Sequence, residues 1–295
     1  MNIKIINTFE QAKKYLAEAK NNGDNLTDLW QEFMTRPFWA EIAQWAPFDI
    51  SDMKPSPVCD LIALEEQINL LSKVLIDDLL AKFMEITKAL PVEDDDAMVV
   101  AIYPLCNSNK IVKVRQNGVL GANAFGNMIL SVNPLADNWQ SWIPYVFAHE
   151  YHHKVWGHYW YVMREGNGID GTFLEYLINE GQADLFAMRL HPELEPEWNR
   201  GFDEETEVKL WAKIEPILYS TDRDIHAKYM FGSEELDLPW CMGYSFGRMI
   251  VEDFMLQNPE ITFSELITIR ASEIFEASRF YNKGLHHHVA GGEIK

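Results

Sequence analysis

Three residues near the middle of the chain have the types and the spacing of a metal-dependent hydrolytic site. The segment 146–153, VFAHEYHH, places His149, Glu150 and His153 in the pattern HExxH, inside a stretch with helical periodicity. Residues four apart on a helix are neighbours on one face, so both imidazole rings can offer a nitrogen to one Zn²⁺ ion. Glu150 lies about 100° around the helix from His149, within reach of a metal-activated water. The spacing therefore predicts a zinc site that carries its own general base.

The predicted zinc site needs a third protein ligand, because a catalytic zinc ion takes three and keeps one position open. Glu180 lies in the next helical pattern, and Asp184 follows it by about one turn. If Glu180 binds the metal, Asp184 faces the same side and can accept the free ring N–H of His149, which fixes the tautomer of that ligand. We therefore predict Glu180 as the third ligand, beside the two histidines, and Asp184 as the acceptor that orients His149.

The two segments together resemble the gluzincins, zinc peptidases in which HExxH is followed on a second helix by a glutamate ligand in a pattern like NExxxD. Residues 179–184 of this chain read NEGQAD. Over about residues 120–255 the arrangement is similar to a bacterial family of predicted Zn-dependent proteases, described as domain of unknown function 2268. The resemblance implies a zincin-like fold, zinc as the cofactor and a peptide or protein as the substrate.

A further resemblance concerns the segment Asn123-Ala124-Phe125, which comes just before the strand-like sequence MILSV. It is similar to the edge-strand segment of thermolysin that forms hydrogen bonds with an extended peptide. The resemblance implies an edge strand in the sheet and a role for Asn123, Ala124 and Phe125 in binding the substrate.

Two other zincin patterns compete with this interpretation. A metzincin requires a glycine and a histidine where this chain has Trp156 and Tyr159, so that pattern fails. The segment 171–175, GTFLE, resembles the aspzincin pattern GTxxD and makes Glu175 a competing third ligand. Glu180 is preferred because it alone brings a second carboxylate one turn away.

Hydrolysis of an amide also requires a hydrogen-bond donor to the oxyanion of the tetrahedral intermediate. Tyr244 is the first candidate, because it lies at the glycine-flanked start of a predicted helix, and His226 and Arg223 remain alternatives. The predicted function is that of a zinc-dependent metallopeptidase with a glutamate general base. The alternative is a non-catalytic, zinc-containing regulatory or binding protein on a peptidase-like fold.

The elements that must position these residues follow from the hydrophobic pattern. Residues from about 8 to 90 read as helical, and Met98–Tyr103 reads as a buried strand. One or two more strands are predicted between Ile111 and Asn133. Helical patterns then resume at about 142–165, 172–190, 204–218, 241–257 and 263–280.

Together these elements predict an α+β protein with a helical N-terminal region, a small mixed sheet and a helical C-terminal half. Pro91 and the acidic run at 93–96 interrupt the helical pattern, which predicts a helical region at 1–95 and a zincin-like metallopeptidase domain at 96–295. A histidine run at 286–288 is predicted to belong to an exposed tail.

Composition excludes several other classes of function. The net charge of −20 disfavours binding to nucleic acid or to an anionic membrane surface. The three cysteines are an odd number without CxxC spacing, which argues against a disulfide framework and a thiolate zinc site. The first residues lack the apolar core of a signal peptide, and no stretch is long and apolar enough to span a bilayer. We therefore expect a cytoplasmic protein, and leave its oligomeric state open.

Overall fold

The structure is a computed structural model, and it describes residues 2–21, 23–92, 97–108 and 110–281. The acidic run at 93–96 and the histidine run at 286–288 lie outside the described residues. The predicted α+β class is confirmed, with a small mixed sheet and many helices. Contacts between Cα atoms divide the chain into two compact units, residues 1–157 and 158–295.

The first unit contains the sheet and the helices that cover it. The predicted helical region before the central strand is present, although it is broken into several shorter helices. Within the described part of this unit the α-helices are α1 (Phe9–Asn21), α2 (Leu26–Trp30), α3 (Arg36–Ile42), α4 (Leu61–Leu71), α5 (Ile76–Ala89), α6 (Lys110–Arg115) and α7 (Trp139–Gly157), and a π-helix at Gln31–Thr35 joins α2 to α3. The predicted division of the chain into residues 1–95 and 96–295 stays a prediction.

The sheet has four strands within the described residues. They are β1 (Ile3–Asn7), β2 (Met98–Pro104), β3 (Val119–Ala124) and β4 (Asn127–Val132). The order is β1-β2-β4-β3, in which β1, β2 and β4 are parallel and β3 runs antiparallel to β4. Every residue of β2 and β4 is buried, as expected of strands covered on both faces. Strand β3 is an edge strand of this sheet.

The sequence did not predict strand β1. Its five residues, IKIIN, form too short a run to be recognised as a strand. The segment becomes a strand because it pairs in parallel with β2, with Ile5 opposite Val100. A pairing across so many residues depends on the tertiary fold and is not visible in the local sequence.

Helices cover both faces of the sheet. On one face, Ala101 of β2 and Ile129 of β4 belong to a buried cluster with residues of α1, α2 and α4. Ala122 of β3 is paired with Ile129 and therefore faces the same side. Successive residues of a strand point to opposite faces, so Gly121 faces the other side, where it contacts residues of α7. Helix α7 thus lies across the edge strand.

The second unit is helical within its described residues. It begins with a π-helix, His158–Met163, which continues the predicted helix at 142–165 beyond the end of α7. Its α-helices are α8 (Phe173–Leu190), α9 (Glu204–Ile214), α10 (Arg223–Phe231), α11 (Met242–Gln257), α12 (Phe263–Leu266) and α13 (Ala271–Glu276). Aromatic residues of α8, α9 and α11, including Phe173, Trp211 and Phe246, form its core.

The helices of the second unit differ from the prediction in two places. Helix α10 was not predicted, although the Asp222 side chain caps it by accepting hydrogen bonds from two backbone amides. The predicted helix at 263–280 is divided into α12 and α13. In the part of the chain that the structure describes, no helix combines the length and the apolar character needed to cross a membrane.

Candidate metal centre

Helix α7 presents the two histidines of the HExxH pattern side by side. The Nε2 atoms of His149 and His153 lie 3.0 Å apart, and their ring centroids lie 4.7 Å apart with the ring planes at 82°. Two nitrogens that each lie 2.0–2.1 Å from one tetrahedral zinc ion are about 3.3 Å apart, so the observed separation is close to that of two ligands of one ion. The spacing of four residues produces the convergence expected on a helix.

Glu180 of α8 completes a group of three possible ligands. One ligand atom from each of His149, His153 and Glu180 lies within 4.8 Å of the other two. Glu180 is buried, and both histidines are partly buried. Two imidazole nitrogens and one carboxylate oxygen are the ligand set of many catalytic zinc sites that keep a fourth position open. The group could therefore hold a metal ion, and its chemistry fits zinc.

Glu150 lies beneath the edge strand, on the same helix as the two histidines. Glu150 is buried, with only 8% of its surface exposed to solvent. A Cβ atom added to Gly121 of β3 would lie 2.5 Å from Cγ of Glu150 and 2.7 Å from its Oε1. Any side chain at position 121 would displace this carboxylate, so the glycine makes room for it.

Asn123 connects the edge strand to α7 through its side chain. Its Nδ2 donates a hydrogen bond of 3.1 Å to the backbone carbonyl of Glu150. Its Oδ1 accepts a hydrogen bond of 3.0 Å from the amide of Gly126 in the β3–β4 turn. Asn123 therefore holds the strand, the turn and the helix in register.

Ala124 and Phe125, the other residues of the predicted substrate segment, differ in their surroundings. Ala124 is fully buried and packs in the cluster on the face opposite α7. Phe125 lies in the β3–β4 turn, is 40% exposed and has a φ of 52°. The side chain of Phe125 is thus open to solvent, whereas that of Ala124 is not.

The backbone of β3 offers hydrogen-bonding groups at alternate residues. In an antiparallel pair, every second residue directs its amide and carbonyl to the neighbouring strand. Ala124 and Asn127 flank the two-residue turn, and the Asn133 amide donates to the Gly118 carbonyl at 2.7 Å, so the even-numbered residues of β3 bond to β4. The amides and carbonyls of Gly121 and Asn123 therefore point away from β4.

Asp184 is fully buried one turn beyond Glu180, and two side chains after α8 hold its carboxylate. Trp198 Nε1 donates to Oδ1 at 3.2 Å, and Asn199 Nδ2 donates to Oδ2 at 2.7 Å. Asn199 in turn accepts a hydrogen bond of 2.9 Å from Nε of Arg248 on α11. A buried network therefore fixes the carboxylate of Asp184, and the predicted hydrogen bond from the ring N–H of His149 to this carboxylate stays a prediction.

Tyr244 reaches the neighbourhood of Glu180 because α8 and α11 cross in close contact. A Cβ atom added to Gly181 would lie 2.2 Å from the carbonyl oxygen of Gly247, so only glycines permit this approach. Tyr244 lies about one turn before Gly247 on α11. Burial of the phenol raises the pKa of Tyr244 well above its ordinary value, and the negative charges of Glu180 and Asp184 raise the pKa further.

The model of a known protein family matches most of this chain. Residues 77–276 match the family model described as "Predicted Zn-dependent protease (DUF2268)". The chain belongs to this family. Searches of curated proteins and of solved structures gave no match. The matched residues begin in α5 and include the HExxH helix, the edge strand, Glu180, Asp184 and Tyr244.

The competing candidate for the third ligand, Glu175, lies at the start of α8. It is the third residue of α8 and forms a capping box with Thr172. One of its carboxylate oxygens accepts a hydrogen bond of 2.8 Å from the Asp170 amide, and the other accepts one of 3.0 Å from the Thr172 amide. The carboxylate of Glu175 therefore caps the N-terminus of α8. Glu180 is the acidic residue in the group with the two histidines.

The alternative oxyanion donors, His226 and Arg223, lie at the start of α10. His226 is 1% exposed, and its Nε2 lies 2.7 Å from the backbone carbonyl of Ser220. Its ring also packs against Phe173, with centroids 5.4 Å apart. Burial raises the pKa of Tyr161, the negative charge of Glu175 raises that pKa further, and the positive charge of Arg223 lowers it. His226 thus has a packing role in the second unit.

Three residues that shape this site were not predicted from the sequence. Gly121 lies inside β3 against Glu150. Trp198 and Asn199 fall between the predicted helices at 172–190 and 204–218, and both donate hydrogen bonds to Asp184. Two side chains with N–H donors in the segment after a carboxylate-bearing helix are the one signal that points to this network.

Proposed function

We propose that this protein is a zinc-dependent metallopeptidase that hydrolyses peptide bonds. The observation that carries the proposal is the group formed by His149, His153 and Glu180, with the buried Glu150 next to the first histidine on the same helix. Membership of the family of predicted Zn-dependent proteases supports the same assignment. The group alone would also suit a structural metal, but a structural zinc site is closed by four protein ligands, whereas the group found among the described residues has three.

The two histidines and Glu180 would hold the zinc ion. When bound, zinc supplies a Lewis acid that polarises the scissile carbonyl and makes water a better nucleophile at neutral pH. The network of Trp198 and Asn199 around Asp184 supports the ligand geometry, because it fixes a carboxylate one turn from Glu180.

Glu150 would act as the general base and then as the general acid. It accepts a proton from the attacking water while the water oxygen forms a bond to the carbonyl carbon. It then donates that proton to the amide nitrogen as the carbon–nitrogen bond breaks, so the products are a carboxylic acid and an amine. The contact with Gly121 favours this role, because the buried carboxylate is held directly beneath the strand where a substrate would lie.

Tyr244 would donate a hydrogen bond to the oxyanion that develops on the carbonyl oxygen. Its place on α11, close to Glu180 through the crossing at Gly181 and Gly247, supports this assignment. A phenol with this surrounding charge keeps its proton and remains a donor.

A substrate peptide would bind as an additional strand on β3. The outward amides and carbonyls of Gly121 and Asn123 are the groups that such a strand can pair with, and they lie on the side of β3 away from β4. Of the three residues predicted to bind the substrate, Asn123 would contribute its backbone and Phe125 its exposed ring, whereas the side chain of Ala124 is buried and would not contact the substrate.

The substitution Glu150→Gln tests the function, because it removes the proton acceptor while keeping the size of the side chain. We expect the purified variant to bind zinc as the wild type does and to lose hydrolysis of a mixed peptide library. Zinc content is measured by elemental analysis, and hydrolysis is measured with and without a chelator. Glu165→Gln in the loop after the π-helix is the matched control. Hydrolysis that survives in Glu150→Gln, or that chelator leaves unchanged, would show the assignment to be wrong.

A further inference from the structure

The tip of the β3–β4 hairpin carries an exposed aromatic pair, in which Phe125 belongs to the predicted substrate segment and Phe48 does not. Phe125 in the turn is 40% exposed, and Phe48 in the segment after α3 is 65% exposed. Their ring centroids lie 5.0 Å apart with planes at 88°, an edge-to-face contact. Apolar surface left in water costs about 25 cal/mol per Å², and exposed apolar patches mark binding sites more often than isolated exposed side chains do.

The backbone of Phe125 is in a conformation that a phenylalanine rarely adopts. Its φ is 52° and that of Gly126 is 102°, as in the two-residue turns that prefer asparagine, aspartate or glycine. A residue with a Cβ atom destabilises the fold by about 1–2 kcal/mol when its backbone adopts this left-handed conformation. A phenylalanine at a position where asparagine would be easier indicates that the ring itself has a use.

Two side chains of the same unit pack against Gly126, the residue that follows Phe125 in the turn. The Nζ atom of Lys154 on α7 lies 5.3 Å from the centroid of the Trp45 ring. A Cβ atom added to Gly126 would lie 3.4 Å from that Nζ and 3.4 Å from Cε3 of Trp45. Lys154 is 5% exposed. These contacts fix the turn that presents the ring of Phe125.

The aromatic pair lies in line with the edge that would bind the substrate. Phe125 follows Gly121 by four residues, and Gly121 contacts the proposed general base, Glu150. A strand rises about 3.3 Å per residue, so the edge from Gly121 to Ala124 spans about 10 Å, and Phe125 follows in the turn. An extended peptide on β3 would bring a side chain about four residues from the cleaved bond to the two rings.

We propose that Phe48 and Phe125 bind a large apolar side chain of an extended peptide, about four residues from the cleaved bond, and so contribute to the choice of substrate. This inference rests on the proposed function, because it assumes that a peptide lies along β3. Phe48 precedes the residues 77–276 that match the family, so the segment before that match takes part in selectivity.

Peptide binding to the Glu150→Gln variant tests the inference without requiring turnover. The probes are fluorescein-labelled extended peptides in which one phenylalanine is moved stepwise along a background of serine and alanine. The zinc-loaded, full-length protein is titrated in fluorescence anisotropy, and Phe48→Ser and Phe125→Asn are introduced separately. Tyr219→Ser, at a tyrosine that is likewise 65% exposed, is the matched control.

We expect one register of phenylalanine to bind about tenfold more tightly than the peptide without phenylalanine, the size expected for one apolar contact. Phe48→Ser and Phe125→Asn should each remove this preference, and Tyr219→Ser should keep it. Phe125→Asn should fold at least as stably as the parent, because asparagine tolerates the left-handed backbone. If it fails to fold, Phe48→Ser decides alone.

A preference that survives in both variants, or binding that does not depend on phenylalanine in any register, would overturn the inference. Cleavage of the same peptides by the protein with Glu150 intact is measured separately. Absence of cleavage together with register-dependent binding would contradict the proposed function and leave the aromatic site standing. Cleavage in which no position of phenylalanine is preferred would support the proposed function and contradict the aromatic site.

Discussion

Gly121 on the edge strand and Glu150 on helix α7 are in direct contact, so the proposed general base lies against the backbone of the strand. The contact leaves no room for a Cβ atom, which would lie 2.5 Å from Cγ of the glutamate. The residue that would pair with a substrate backbone is therefore also the residue that sets where the carboxylate lies. In the proposed mechanism, substrate position and proton transfer would be coupled through this glycine.

The substitution Gly121→Ala should impair catalysis more than zinc binding. The added methyl group has to displace the carboxylate of Glu150, and a misplacement of about 1 Å in a catalytic group costs about 100-fold in rate. Overpacking should also lower the free energy of unfolding by about 1–3 kcal/mol. Peptide hydrolysis, zinc content and urea unfolding are measured together. Gly157→Ala at the end of α7 is the control, because nothing lies within 4 Å of its added Cβ atom. Unchanged hydrolysis in Gly121→Ala would disprove the coupling.

Measurements of zinc affinity should show which of the two candidates, Glu180 or Glu175, is the third ligand. Glu180→Ala removes a member of the His₂Glu group, and we expect zinc to bind at least about 100-fold more weakly. Glu175→Ala removes the capping box of α8, which should cost about 1 kcal/mol of stability and leave zinc affinity unchanged. Competition with a chromophoric chelator measures both. The reverse result would make Glu175 the ligand.

Tyr244→Phe should lower kcat by about 100- to 1000-fold, the effect of losing one oxyanion donor. KM and zinc affinity should change little, because the ring and its packing remain. Steady-state kinetics on a peptide cleaved by the wild type provide the measurement, with Tyr281→Phe, 40% exposed, as the control. A change in KM with kcat unaffected would instead assign Tyr244 to ground-state binding.

The parts of this site that depend on local spacing could be predicted from the sequence, and the parts that depend on packing could not. Four-residue spacing on a helix brings His149 next to His153 whatever the rest of the fold does. The same spacing put Asp184 one turn from Glu180. The contact between Gly121 and Glu150 instead requires the strand and the helix to be packed, and neither segment alone indicates it.

The same distinction explains the fold. Strand β2 was predicted because its residues form a continuous apolar run, as a parallel strand covered on both faces does. Strand β1 was missed because only its pairing with β2 makes it a strand. Trp198 and Asn199 were missed because their partner, Asp184, lies on the preceding helix and is reached only when the chain folds back.

The stability of the protein should fall in alkaline solution partly through Tyr15. This residue is fully buried in the first unit, its hydroxyl donates to the Val58 carbonyl at 3.0 Å, and burial raises its pKa to about 12. Because the folded pKa is raised above the unfolded value, its contribution is complete below pH 10 and is lost as the pH rises toward 12. The loss is up to about 3 kcal/mol.

Urea unfolding between pH 9 and 11 measures this effect. Tyr15→Phe should be less stable than the wild type at pH 9, because it loses the hydrogen bond, and its stability should fall less steeply with pH. Tyr219→Phe, at an exposed position, should keep the slope of the wild type. Equal slopes for all three proteins would show that Tyr15 titrates alike in the folded and unfolded states.

Asn199 should be required for the geometry of the zinc site although it is not one of the ligands. It donates to Asp184 at 2.7 Å and accepts from Arg248 at 2.9 Å, so Asn199→Ala leaves a buried carboxylate and a largely buried guanidinium each short of one partner. We expect a loss of about 2–4 kcal/mol in stability and zinc binding that is 10- to 100-fold weaker. The control is Glu197→Ala in the same turn, which removes a pair with the exposed Arg200 at 3.5 Å and should change neither quantity. Because zinc affinity at a temperature where both proteins are folded is measured separately from stability, an unchanged affinity in Asn199→Ala would limit this network to a structural role.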